Sequence, residues 1–71
     1  MRVQIALETM SDVTEFVNIV SCVHAPVHLV SDDFRVSAKS LLGAIYTMEW
    51  NEVWCECSED IYHKIAKFVV L

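Results

Sequence analysis

The chain has 71 residues, 55% of them hydrophobic and 21% charged, and 10 acidic against 5 basic residues give a formal net charge of −5. That length holds a single domain, residues 1–71, with no room for a second core. Its acidity, with the basic residues scattered from Arg2 to Lys67, argues against nucleic acid as a partner.

The N-terminal stretch MRVQIALETM is too short in its apolar part and too soon acidic for a signal peptide. Within it, Val3, Ile5 and Leu7 alternate with Arg2, Gln4 and Ala6, which predicts a half-buried strand. Thr9 and Ser11 are the leading N-cap candidates for the segment that follows. Val13, Phe16, Val17, Val20 and Val23 then recur at helical spacing and predict an amphipathic helix over residues 10 to 23. The longest tract free of charge, Phe16 to Val30, is broken by Asn18, Ser21, His24, Pro26 and His28, so no membrane span is expected.

Pro26 ends the helical segment. VHLVS and FRVSA flank Ser31, Asp32 and Asp33 and read as a hairpin with a polar turn. AKSLLGAIYTM follows, a short helix with Ser40 placed to cap it and the only glycine inside it. In NEVWCECS, Val53, Cys55 and Cys57 alternate with Glu52, Trp54 and Glu56, a fourth strand. Ser58 is expected to cap a last helix with Glu59 and Asp60 in its first turn, where acids complement the dipole. Ile61, Ile65, Phe68 and Val69 would form its apolar stripe, with Lys64 and Lys67 facing water.

The order is therefore β-α-β-β-α-β-α. Alternating rather than solidly apolar strands imply a sheet covered on one face only. The expectation is an α+β open-faced sandwich: a four-stranded antiparallel sheet with three helices on one face. Val3, Ile5, Leu7, Phe16, Val20, Leu29, Val36, Val53, Ile65 and Phe68 should be its buried residues.

That order, the short middle helix and AKSLLG together resemble the histidine-containing phosphocarrier protein (HPr) family of the bacterial sugar phosphotransferase system. The likeness is strongest from Phe34 to Met48, where VSAKSLLGAIYTM is similar to the family's regulatory-serine segment. The resemblance makes Ser40 the residue targeted by an HPr-type kinase. The family's phosphoryl-accepting histidine opens its first helix in the pattern H-A-R-P, and here the matching stretch is TMSD. Thr9 stands at the histidine position, Ser11 at that of the arginine and Asp12 at that of the proline.

Glu8, Asp12 and Glu15 would surround a phosphate at this point with like charge. A threonine ester also lacks the transfer potential of a phosphohistidine, so no phosphoryl relay, no catalytic residue and no enzyme activity are expected. At Ser40, by contrast, a phosphate would lie at a helix N-terminus beside Lys39. Capping alone is also a sufficient reason for a serine there. Some HPr relatives lack the histidine, keep the serine and act only as regulatory binding partners, and this chain resembles that subgroup. The resemblance implies phosphotransferase-system or regulatory proteins as partners, met through the first helix and through Lys39, Leu41, Leu42, Tyr46 and Met48 around the middle helix, where Trp50 would extend the apolar patch. A competing reading is a small oligomerising or structural domain with an inherited HPr fold and no phosphotransfer role.

Other residues suggest chemistry less strongly. Cys22, His24, His28, Cys55 and Cys57 invite a metal reading, but His28 and the Cys55–Cys57 pair fall on opposite sheet faces, so no metal or cofactor is expected. His63 is placed on the water side of the last helix by its phase. Three cysteines, an odd number with two close neighbours that do not bridge comfortably, fit a reducing cytoplasm. Trp54 should share the uncovered sheet face with Glu52, Glu56, His28 and Arg35, as an anchor for a partner or for a second copy of the chain.

Overall fold

Alternation along RVQI produces β1 (Arg2–Ile5), whose register against β4 (Val53–Cys57) pairs Val3 with Cys55 and Ile5 with Val53. β4 pairs on its other side with β2 (Val27–Val30), and β2 with β3 (Arg35–Ser37). The computed structural model, which describes residues 1–71, thus holds one antiparallel sheet in the order β1-β4-β2-β3. Three helices complete it: α1 (Met10–Ser21), α2 (Leu41–Tyr46) and α3 (Tyr62–Ile65). A 3-10 turn continues α2 through Thr47–Glu49, and another continues α3 through Ala66–Phe68.

The inward faces of all three helices meet the same sheet face. Val13, Phe16, Val17 and Val20 from α1, Ala44 from α2, and Ile65 with Phe68 from the C-terminal helix join Leu29, Val53, Cys55 and Cys57 in one core. Phe16 lies at its centre with no exposed surface, edge-on to Phe68 at 5.4 Å between ring centroids. This is an α+β open-faced sandwich, with the alternation of its strands separating a covered face from a helix-free one.

Three details depart from the sequence reading. Val3 and Val36 are only half-buried, because β1 and β3 are the outer strands and the helices do not extend fully over them. α1 ends at Ser21 rather than residue 23, capped by Cys22, although Val23 still reaches the core from the connecting loop. Ser58 caps nothing: residues 58 and 59 form a bend, and α3 starts at Tyr62, whose N–H donates to Asp60 Oδ1 at 3.1 Å. The reason is Ile61, which is buried and must enter the core four residues after β4, so the chain turns inward before it can coil.

The C-terminal segment also does something the apolar pattern does not reveal. Val70 donates its N–H to Gln4 O, Ala6 donates to Phe68 O, and Val69 bridges Ile5. These bonds cover part of the outer edge of β1, an edge that would otherwise be open to strand pairing.

Gly43 lets α2 lie close to β3. A Cβ at this position would lie 3.3 Å from Ser37 O and 3.3 Å from Val36 Cβ, so the missing side chain lets α2 rest against β3. Buried Ala38 and Ala44 continue the same small-residue contact. Thr47, the one buried polar residue, donates its hydroxyl to Ala44 O at 2.7 Å and closes the helix without an orphaned group.

Candidate protein-binding surface

Ser40 adopts extended backbone geometry (φ −90°, ψ 116°) and its Oγ accepts the N–H of Gly43 at 3.1 Å. It is the N-cap of α2, as the sequence suggested, and it is exposed. Ser40→Ala should therefore lower stability by about 1 kcal/mol, read as a shift in the urea midpoint at unchanged slope, while Ser40→Asp keeps the cap. A midpoint unchanged by the alanine substitution would show that the hydroxyl contributes nothing to the helix.

Lys39 is positioned differently from its neighbour. Its ammonium donates to Val23 O at 2.5 Å, tying the start of α2 to the loop that leaves α1. The cation expected beside Ser40 is thus engaged with a backbone carbonyl 16 residues away. A phosphate on Ser40 would draw on the helix amides first, and on Lys39 only after that contact opened.

Beyond the cap, the helix divides cleanly. Ala44 and Thr47 turn inward, whereas Leu42 is 71% and Tyr46 63% exposed, one turn apart on the outward face. Leu41 and Met48 flank them and are exposed too. Large apolar side chains with nothing packed on them, gathered on a helix this short, are what an interface offers.

The N-terminus of α1 is organised against a ligand. Thr9 caps the helix, its Oγ1 accepting the N–H of Asp12 at 3.0 Å, and Asp12 Oδ2 accepts the N–H of Glu8 at 3.0 Å. The chain therefore satisfies those amides with its own side chains, including an anion. One cation does reach this region: Lys67 pairs with Glu15 at 2.7 Å across 52 residues of sequence. Linear spacing could not reveal that contact.

The helix-free sheet face carries two cross-strand rows, Arg2–Glu56–His28–Ser37 and Gln4–Trp54–Val30–Arg35. Trp54 is half-buried there, with the Arg2 guanidinium 4.9 Å from its ring centroid and its indole N–H donated to Glu52 Oε1 at 3.1 Å. Glu56 bridges Arg35 at 3.0 Å and Arg2 at 3.5 Å, and Arg35 Nη2 lies 3.3 Å from His28 Nδ1. Val30 is buried on this face, a residue the hydrophobic pattern assigned no role. Trp54 thus shares this face with Glu56, His28 and Arg35, as its strand phase predicts, and the charged groups around it form a polar network.

The remaining chemistry-bearing residues are dispersed. All three cysteines are free, Cys22 exposed and Cys55 and Cys57 buried. Burial, reinforced by Cys57, pushes the Cys55 thiol up to about 12, which keeps it protonated and unreactive. His24 is exposed in the loop between α1 and β2, and His63 is exposed on α3.

One aromatic contact was not legible in the sequence. Phe34, at the end of the β2–β3 turn, stacks on Trp50 at 5.7 Å with an interplanar angle of 21° and remains 60% exposed. Sixteen residues separate the two rings, and neither alternates with a recognisable partner. Comparison of the chain with family models, curated proteins and solved structures found no match.

Proposed function

We propose that the protein is an HPr-like regulatory binding module that meets other proteins through α2 and does not relay phosphate. The observation that carries this reading is the outward face of α2, where Leu42 and Tyr46 are exposed beside an exposed, capping Ser40. The β-α-β-β-α-β-α order and the AKSLLG segment support the family resemblance. The self-capped Thr9–Asp12 turn supports the loss of phosphotransfer, because its amides are taken and its surroundings are acidic. Partners are proteins of the phosphotransferase or regulatory class, and the three free thiols support a reducing, cytoplasmic setting.

Two labelling reactions test the reading. With phosphoenolpyruvate and the general phosphotransferase enzyme, the chain should take up no label at His24, His28 or His63, since none opens the first helix. With an HPr-type kinase, label should enter the wild type at Ser40 and be absent from Ser40→Ala. Rapid acid-labile labelling of a histidine would contradict the loss of relay, and kinase labelling undiminished in Ser40→Ala would remove Ser40 as the regulatory residue.

A further inference from the structure

We propose that the Phe34–Trp50 end of this surface docks a basic segment of the partner protein, a lysine or arginine side chain lying over the free face of Phe34. The inference rests on the reading of α2 as a protein-binding surface and adds the chemistry of what binds there. Trp50 ends the 3-10 continuation of α2, packs partly against the core and carries the Phe34 ring on it, so the stacked pair joins the end of α2 to the β2–β3 turn.

The charge around those rings is of one sign. Asp32, Asp33, Glu49 and Glu52 share with Phe34 and Trp50 the lining of a hollow of about 490 Å³. The ion pairs of the protein use Glu56 and Glu15, so these four carboxylates have no cationic partner, and no lysine or arginine lines the hollow. An aromatic face carries negative charge at its centre and attracts a guanidinium or ammonium, and flanking carboxylates strengthen that attraction. The complement of this surface is therefore cationic and apolar at once. A second copy of the chain does not fit, since it would bring its own net charge of −5 toward the same carboxylates. A basic amphipathic segment presents leucine-like side chains to Leu42 and Tyr46 and its cations to the acidic end.

The test uses the full isotope-labelled chain and two synthetic helical peptides with identical leucines, one with lysine and one with glutamate at every polar position. The lysine peptide should bind, move the Phe34 amide and Trp50 indole resonances, and weaken as salt rises from about 0.05 to about 0.3 M. Affinity should fall at least tenfold in Phe34→Ser, and at least tenfold in the combined Asp32→Asn, Asp33→Asn, Glu49→Gln and Glu52→Gln variant. All five side chains are exposed, and glutamine at 52 keeps an acceptor for Trp54, so both variants should fold. Equal binding of the two peptides at Leu42 and Tyr46 would overturn the basic-partner proposal while leaving the protein-binding reading in place. An unchanged affinity in the neutralised variant would overturn it too, as would the absence of binding by either peptide.

Discussion

Phe16→Ala should move the cooperative unfolding transition of this protein to much lower urea or abolish it. Phe16 has no exposed surface, and it joins α1 to the C-terminal helix through its contact with Phe68. Truncating such a residue costs about 3–5 kcal/mol, through lost transfer energy and the cavity left behind. A domain of this length has only about 4–11 kcal/mol to lose, at roughly 0.05–0.15 kcal/mol per residue. Small domains also bury too little surface to absorb the loss elsewhere. Urea titration followed by circular dichroism should show a broad, early transition or none. A midpoint near that of the wild type would mean that the core does not depend on α1 docking through Phe16.

The paired substitution Leu42→Asp and Tyr46→Ser should do the opposite, leaving the fold intact and removing binding. Neither side chain belongs to the core, so the effect on stability should stay within about 0.5 kcal/mol for each. Buried interface anchors contribute about 2 kcal/mol or more on truncation, and about 1.4 kcal/mol is tenfold in affinity. The pair should therefore lower affinity for the protein recovered with the wild-type chain by at least about a hundredfold. Affinity unchanged in this variant would move the interface away from α2. The sheet face with Trp54 would then be the remaining candidate, and its Arg2 and Glu56 contacts predict a more polar contact there.

How much of this was legible in the sequence depends on the range of the interaction. Local signals read well: the alternation of Val53, Cys55 and Cys57 placed β4, Thr9 and Ser40 capped the helices they precede, and the position of Trp54 opposite the helices followed from its phase. The strand alternation also separated covered and helix-free faces, and hence the fold class. Contacts that join distant parts of the chain were not readable. Lys67 meets Glu15, Lys39 reaches Val23, Phe34 stacks on Trp50, and Val69 bridges Ile5 only because the fold brings them together. The failed Ser58 cap shows the same limit, since a favourable local signal yielded to the burial of Ile61. For the candidate site, the sequence marked the residues of α2 but not which of its faces would be left bare. Gly43 and Ala44 decide that by packing inward and leaving Leu42 and Tyr46 outside.

The most direct measurement of the central claim, that α2 is a protein-binding surface, is photo-cross-linking in the native cells. A benzophenone side chain would replace Leu42 in one chain and Lys64, exposed on α3, in another. The account predicts discrete protein adducts from position 42 that are absent from position 64, and that disappear when Tyr46 is also changed to Ser. No adduct from position 42, or the same adducts from both positions, would contradict it.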